Sequence, residues 1–153
     1  MMFSLIYLFP LLVSTVESSE FIFPKGLPCK VYNKTKLDCS NRKLTSVPPL
    51  KNTNVRSLDL SSNQLETVNG SSFIHLDQLE ELNLSNNSVS NISFRRKVGS
   101  RVLDMRCGGY YKILNISTNT FAGLNKLESL DLSLGLQLIF HGSAFRSTTS
   151  LKR

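Results

Sequence analysis

The sequence predicts an α/β solenoid, a stack of short repeated units in which each unit adds one strand to a parallel β-sheet on the concave face. Three observations predict it: an apolar rhythm that recurs along the chain, an asparagine that follows the rhythm, and a phenylalanine on the segment that leads to the next unit. With 153 residues, 41% of them hydrophobic, the chain is long enough to bury such a core.

The apolar rhythm appears in five segments that each place a leucine in the same position. The segments are LDCSNRKLTSV (37–47), VRSLDLSSNQLETV (55–68), LEELNLSNNSVSNI (79–92), RVLDMRCGGYYKI (101–113) and LESLDLSLGLQLIF (127–140). The aligned leucines are Leu37, Leu58, Leu82, Leu103 and Leu130, and the spacing between them varies from one segment to the next. Every spacing lies within the roughly 20 to 29 residues of leucine-rich repeats, whose pattern is L-x-x-L-x-L-x-x-N-x-L.

Alternation along each strand predicts which side chains form the core. Successive side chains of a strand face opposite ways, so both leucines of L-x-L point inward. We expect these residues and the aligned phenylalanines of the return segments to be buried: Leu58, Leu60, Leu82, Leu84, Leu103, Met105, Leu130, Leu132, Phe73, Phe121 and Phe145. The second repeat lacks an aligned phenylalanine and carries SFRRKVGS (93–100) instead.

Asn63 and Asn87 occupy the asparagine position of the pattern. We expect their amides to turn inward where the strand ends, because a bend in the interior leaves backbone donors and acceptors that need partners. Gly108 and Gly135 stand at the corresponding place in two later repeats, which therefore lack this side chain.

The outward residues of the strands form a candidate binding face: Asp59, Glu81, Asn83, Asp104, Arg106 and Asp131. In solenoids the concave face commonly binds partners. A solvated polar face is the alternative that the sequence leaves open. The basic run Arg95–Lys97, with Arg101 nearby, is predicted to lie on a loop that is either solvated or in contact with an anionic ligand.

Charge and motifs exclude most catalytic classes. The net charge of +7 suits an anionic partner such as nucleic acid, but most of the lysines and arginines are scattered, so ordinary solubility is the simpler interpretation. His75 and His141 are isolated, and neither metal-ligand spacing nor a nucleotide-binding motif occurs. We therefore expect no enzyme, no cofactor and no metal site.

The N-terminus is predicted to be a secretory signal peptide over residues 1–18. An apolar run from Phe3 to Val13 is followed by small and polar residues, and cleavage is expected after Ser18. The run is shorter than the ~20 residues of a spanning helix. Secretion favours cysteine pairing. Cys29 and Cys39 bracket a segment of hairpin length, and Cys107 is left over, either buried or paired outside this chain.

Secretion also gives meaning to the Asn-x-Ser/Thr sequons, which predict a glycosylated surface. They are Asn33, Asn69, Asn83, Asn86, Asn91 and Asn115. Asn63 and Asn87 are not sequons, as suits buried amides.

A signal peptide, a cap over residues 24–50 that contains LDCSNRKLTSVP, and repeats over 51–153 with F-x-x-L returns resemble the N-terminal part of a Toll-like receptor ectodomain. The resemblance covers nearly all of the chain after about residue 24. It implies a disulfide between Cys29 and Cys39 that holds a hairpin over the open edge of the first strand. Many other secreted leucine-rich proteins have four cysteines in this cap. This chain has two, which makes its cap similar to that of several Toll-like receptors.

The resemblance also implies a function. The full-length form would recognise a microbial ligand or a protein partner, dimerise, and signal through a cytoplasmic domain. We expect about four repeats and an incomplete next one, hence a fragment of a single-pass type I protein on the extracellular or endosomal-lumenal side. Its only membrane contact would be a C-terminal helix missing from this chain. The alternative is a secreted or matrix leucine-rich protein that mediates protein–protein interaction without signalling. The positive charge leaves nucleic acid open as a ligand class.

Overall fold

The structure is a computed structural model that describes residues 28–50, 54–95, 97–106, 112–133 and 136–152. The chain winds as a solenoid of about four turns with a parallel sheet along one side. The predicted signal peptide, Cys107, Gly108 and Gly135 lie outside the described residues. No helix within the described ranges has the length and apolar character needed to span a bilayer.

Ten short strands and one 3-10 helix follow one another in the described residues: β1 (Lys30–Tyr32), β2 (Lys36–Asp38), β3 (Ser57–Asp59), β4 (Thr67–Asn69), the 3-10 helix (Gly70–Phe73), β5 (Glu81–Asn83), β6 (Asn91–Ser93), β7 (Val102–Asp104), β8 (Lys112–Ile116), β9 (Ser129–Asp131) and β10 (Leu136–Phe140). The concave sheet has the order β1-β2-β3-β5-β7-β9. On the return side β4 pairs with β6 and β8 pairs with β10, both in parallel.

The register of the concave sheet is the one that the sequence predicts. The Cα partners across successive parallel strands are Leu37, Leu58, Leu82, Leu103 and Leu130. The parallel leucine-rich solenoid is therefore confirmed. Because the strands stay aligned although the spacing between their leucines varies, the differences in repeat length are absorbed on the return side.

The core runs along the inside of this sheet. Most of the predicted core residues are at most 4% exposed: Leu58, Leu60, Leu82, Leu84, Leu103, Met105, Phe73 and Phe121. Burying a leucine of this kind stabilises the fold by about 1.5–3 kcal/mol. Leu130 and Leu132 are only partly buried, because β9 has a neighbouring strand on one side only in the described sheet.

The return segments form turns and short strands, and no α-helix occurs in the described ranges. In the first repeat the N–H of Leu76 donates to the Phe73 carbonyl, and the N–H of Leu79 donates to the Leu76 carbonyl, both at 3.0 Å. Residues 121–127 repeat these bonds. Apolar residues three apart thus close two successive turns, so the helical layer implied by an α/β class is replaced here by a second, short-stranded layer.

The second repeat does have a core phenylalanine, which corrects the interpretation of SFRRKVGS. Phe94 is fully buried, and its ring stacks on Phe73 with a centroid distance of 6.0 Å. Phe94 lies closer in sequence to its strand leucine, Leu82, than Phe73 lies to Leu58, so an alignment at constant spacing misses it. The backbone of this shorter return bonds directly to the next repeat, since the Phe94 N–H donates to the Thr120 carbonyl at 2.7 Å.

Phe145 was predicted to be buried in the core, and the structure corrects this prediction. Its side chain is 37% exposed, although its ring stacks on Phe121 at a centroid distance of 5.8 Å. Phe121 lies between neighbouring turns, whereas Phe145 belongs to the last turn of the described stack, where its ring contacts Phe121 and Phe140 but no further turn covers it in the described residues.

The N-terminal cap has the disulfide that the resemblance implied. Cys29 and Cys39 are bonded with an S–S distance of 2.01 Å. β1 pairs antiparallel with β2, so this hairpin extends the concave sheet beyond the first repeat. Closing a loop of this size stabilises the fold by roughly 2–4 kcal/mol. Asn33 and Lys34 at its tip have φ angles of 52° and 56°, which form the tight turn between the strands.

The Asn63 amide lies between two neighbouring turns and is 7% exposed. Its Nδ2 group donates to the carbonyls of Cys39 and Leu60, both at 2.9 Å. Its Oδ1 atom accepts from the N–H groups of Arg42 and Leu44 at 2.9 and 3.0 Å. A single side chain therefore satisfies four backbone groups that the buried bends would leave unpaired.

Asn87 has the same role in the following turn and is 6% exposed. Its Nδ2 group donates to the carbonyls of Leu60 and Leu84 at 2.9 Å, and its Oδ1 atom accepts from the Leu65 N–H at 3.0 Å. Because Leu60 accepts from both asparagines, the two amides form a continuous connection across three turns.

The substitution Phe94→Ala should lower the free energy of unfolding by about 3–5 kcal/mol, the usual cost of removing a buried phenylalanine. Phe145→Ala is the matched control and should cost less than half as much, because that ring is already 37% exposed. Denaturant unfolding followed by circular dichroism measures both. Equal losses would contradict the burial of Phe94 as the second repeat's core ring.

Candidate functional site

Two rows of side chains line the concave face. The first row is Ser57, Glu81, Val102 and Ser129, which are Cα partners on neighbouring strands. The second, called the Asx row below, is Asp38, Asp59, Asn83, Asp104 and Asp131. Both rows flank the buried leucines on each strand, so alternation turns them toward the concave side, where the sequence placed the candidate binding face.

Each member of the Asx row holds the turn that follows its own strand. The side-chain Oδ1 atom accepts from the backbone N–H two residues on, at distances from 2.8 to 3.0 Å. These bonds favour the charged carboxylate, so the hydrogen bonds from Ser40 lower the pKa of Asp38, and those from Ser133 lower the pKa of Asp131. The row is therefore part of the scaffold as well as of the surface.

Sequence reasoning missed this role, although a signal was present. In four of the five members the second following residue is a serine: Ser40, Ser61, Ser85 and Ser133. An Asp or Asn followed two places later by a small polar residue is typical of a side chain that bonds its own backbone.

Arg106 neutralises the far end of the row. Its guanidinium contacts Asp104 at 2.7 Å and Asp131 at 3.7 Å. The hydrogen bonds to Asp104 and its negative charge raise the pKa of Arg106. The carboxylates of the last two strands therefore face a cation, whereas Glu81 and Asp59 have no ion-pair partner within 4.0 Å among the described residues.

A shallow depression of about 210 Å³ lies in the middle of the face. It is lined by Lys36, Ser57, Leu58, Asp59, Glu81, Leu82, Asn83, Val102 and Asp104. Small-molecule sites are mostly apolar and enclosed. This surface is open and carries charges of both signs, so its chemistry suits a polar or charged macromolecular surface.

Ion pairs run along the flank where each strand begins. Arg56 contacts Glu80 at 2.7 Å, and Glu128 contacts both Arg101 at 3.6 Å and Lys152 at 2.6 Å. Lys152 and, to a smaller extent, Arg101 lower the pKa of Glu128. Exposed ion pairs of this kind contribute little to stability. They do, however, pair each of these cations with a carboxylate of the neighbouring repeat.

The remaining predicted residues lie apart from one another. Arg95 and Lys97 are exposed and Arg96 lies outside the described residues. His75 and His141 are exposed on separate return segments. No group of three His, Cys, Asp or Glu side chains suitable for a metal ion occurs among the residues that the structure describes.

The sequons are distributed over several surfaces. Asn33 lies at the hairpin tip, Asn69, Asn91 and Asn115 lie on the return strands, and all are exposed. Asn86 is exposed too, and its Nδ2 group donates to Ser62 Oγ at 3.1 Å. Asn83 is half-buried on the concave face. Their glycosylation stays a prediction.

The leucine rich repeat family matches this chain over residues 35–89 and 53–106. These ranges span β2 to β7 of the concave sheet, whose register supplies the geometry that the family pattern describes. The chain is a leucine-rich repeat protein.

Its relatives include several classes of leucine-rich repeat protein. Toll-like receptor 7 of Mus musculus is 34% identical over 140 residues, which are 88% of this chain. Leucine-rich repeats and immunoglobulin-like domains protein 3 of Homo sapiens is 34% identical over 97 residues, 63% of this chain. Osteomodulin of Bos taurus is 27% identical over 138 residues, with 75% of this chain covered. The leucine-rich repeat chain spans only 12%, 9% and 31% of these relatives.

The substitution Asp59→Ala should lower the free energy of unfolding by about 1 kcal/mol, because it leaves the Ser61 N–H without its acceptor. Asp59→Asn is the matched control and should be nearly neutral, since Asn83 already makes this bond with an amide. Thermal unfolding followed by circular dichroism compares them. If the Asn variant lost as much as the Ala variant, the charge and not the acceptor would hold the turn.

Proposed function

We propose that this chain is the N-terminal part of the ligand-recognition ectodomain of a pattern-recognition receptor similar to Toll-like receptors. The observation that carries the proposal is the alignment with mouse Toll-like receptor 7, which runs through 88% of the chain at 34% identity and so includes more than a generic run of repeats. The two-cysteine cap supports it. The full-length protein would bind a microbial ligand, dimerise and signal through a cytoplasmic domain in innate immunity.

The concave face supports a binding role in this proposal. Glu81 and Val102 are exposed side by side on neighbouring strands, and neither makes a side-chain bond to the scaffold among the described residues. They stand on a sheet whose core and turns are fixed by buried leucines and amides. Such a surface can change its contact residues without losing the fold.

A secreted leucine-rich repeat protein that mediates protein–protein interaction without signalling is the second candidate. The alignment with bovine osteomodulin favours it, because that match covers 75% of the chain. Both candidates place the disulfide-bonded cap in the secretory pathway, where disulfides persist. They differ in whether the chain is attached to a membrane and a signalling domain.

Sequencing the full-length transcript separates the two. The receptor proposal expects an open reading frame that continues through further repeats into one apolar stretch of ~20 residues and a Toll/interleukin receptor domain. A stop codon after a capping module, with neither feature, would refute the receptor and support the secreted protein.

A reporter assay then tests the concave face. The full-length protein is expressed in cells without endogenous Toll-like receptors and challenged with purified microbial RNA, lipopeptide and lipopolysaccharide. Glu81→Arg should weaken the response to the active probe, and Glu66→Arg, an exposed glutamate next to β4 on the return side, should leave it unchanged. Equal effects of both variants would contradict ligand contact through this part of the concave face.

A further inference from the structure

The cap, residues 28–50, carries a higher density of positive charge than the repeats do. It holds five Lys and Arg residues and one Asp, which gives a net charge of +4. Residues 51–153 hold twelve basic and eight acidic residues, which is the same net charge spread over a much longer segment. The density of positive charge is therefore highest in the cap, at one end of the solenoid, although most of the lysines and arginines are scattered over the repeats.

Several cations of the repeats are compensated by carboxylates, and those of the cap are not. Arg56, Arg101, Arg106 and Lys152 all lie within ion-pair distance of Asp or Glu side chains. Within the described part of the chain no carboxylate lies within 4.0 Å of the cap cations, which are Lys30, Lys34, Lys36, Arg42 and Lys43. All five are exposed. Their charge is therefore available to a partner.

The register of the hairpin brings two of these cations, Lys30 and Lys36, to one face. Lys30 is the Cα partner of Asp38, and Tyr32 is the Cα partner of Lys36. Partners on antiparallel strands face the same way, so all four side chains share the concave side with the Asx row. The hydrogen bonds from Ser40 and, to a smaller extent, the charges of Arg42 and Lys30 lower the pKa of Asp38, so both cations act on a carboxylate of this face.

The backbone beneath the cations is held rigidly. The Cys29–Cys39 disulfide fixes both ends of the hairpin segment. The Arg42 N–H donates to the buried Asn63 side chain at 2.9 Å, and the Asn41 N–H donates to the Ser61 carbonyl at 3.0 Å. A surface that is already ordered loses little conformational entropy when it binds.

We propose that the face formed by Lys30, Tyr32, Lys36 and Arg42, called the basic face below, binds a linear sulfated polysaccharide. Clustered cations bind a polyanion by releasing its counterions. The lysines are compact charges with rotatable donors, which suit sulfate groups without a fixed geometry. Tyr32 is 45% exposed and supplies an aromatic ring against which a sugar ring packs.

Single-stranded nucleic acid is the other polyanion to consider, and the basic face fits it less well. Proteins that bind single strands stack successive bases on several aromatic side chains. Tyr32 is the only aromatic residue in the cap sequence from 28 to 50. The proposal does not rest on the receptor function, because a secreted protein with this cap would bind the same polysaccharide.

Immobilised heparin tests the proposal with the full-length gene product. The triple variant Lys30→Gln, Lys36→Gln and Arg42→Gln should lose at least about tenfold in heparin affinity at physiological salt and elute at lower salt. The matched control is Arg95→Gln, Lys97→Gln and Lys126→Gln, three exposed cations of the repeats, which should change the affinity by less than about twofold. An intact Cys29–Cys39 bond in peptide mapping verifies that the variants are folded.

Competition by three polymers completes the test. Heparin in solution should displace the wild-type protein, whereas chemically desulfated heparin and single-stranded oligodeoxythymidine should not at the same concentration. Equal losses in the cap and repeat variants would overturn the placement of the site on the basic face. Displacement by the oligonucleotide as effective as that by heparin, or by the desulfated chain, would overturn the sulfated polysaccharide as its ligand.

Discussion

The side chain of Asn63 bonds four backbone groups of two neighbouring turns, and Asn87 makes bonds of the same kind in the turn that follows. A repeat with such a short strand bends directly after it, and part of each bend is buried: Asn63 and Asn87 lie in the interior, whereas Ser62 and Asn86 are exposed. Buried backbone groups without partners cost about 1–3 kcal/mol each. Asn63 and Asn87 remove that cost for buried backbone groups of the bends that follow β3 and β5, and Asp59 and Asn83 of the Asx row bond N–H groups in the same bends.

Because these bonds and the buried leucines hold the strands, the other positions of each repeat can vary. The strands stay in register because their leucines and the turn bonds recur at fixed places, so the return segments can differ in length. The second repeat is an example of this variation in length. Its return is short, yet Phe94 is buried in the core and its backbone bonds to the next turn. The exposed positions between the leucines, such as Glu81, are then open to selection for binding.

Much of the fold could be predicted from sequence because its main determinants are local and repeated. The register follows from the aligned leucines of the repeats, and the burial of Asn63 and Asn87 follows from their shared position in the pattern. The position of Phe94 could not be predicted, since it depends on how a short return crosses the core. The exposure of Phe145 depends in the same way on which turns are neighbours, and that information is not contained in a single repeat.

The sequence predicted which residues line the concave face, but not which hydrogen bonds they make. The outward positions of the strands follow from alternation, yet the bonds from Asp59 and Asp131 to their own turns need three-dimensional geometry to be recognised. The concentration of charge in the cap was visible in the sequence. Its meaning required the hairpin register, which brings Lys30, Tyr32 and Lys36 to one face, and the observation that several of the repeats' cations are paired.

Hydrogen exchange of individual backbone amides tests most directly whether the buried asparagines organise the solenoid. The N–H groups of Leu44 and Leu65 donate only to the side chains of Asn63 and Asn87 in the described structure. We predict that they exchange as slowly as the N–H groups of Leu60 and Leu84, which bond to neighbouring strands. Exchange of Leu44 and Leu65 at the rate of exposed loop amides, with Leu60 and Leu84 still protected, would contradict this account.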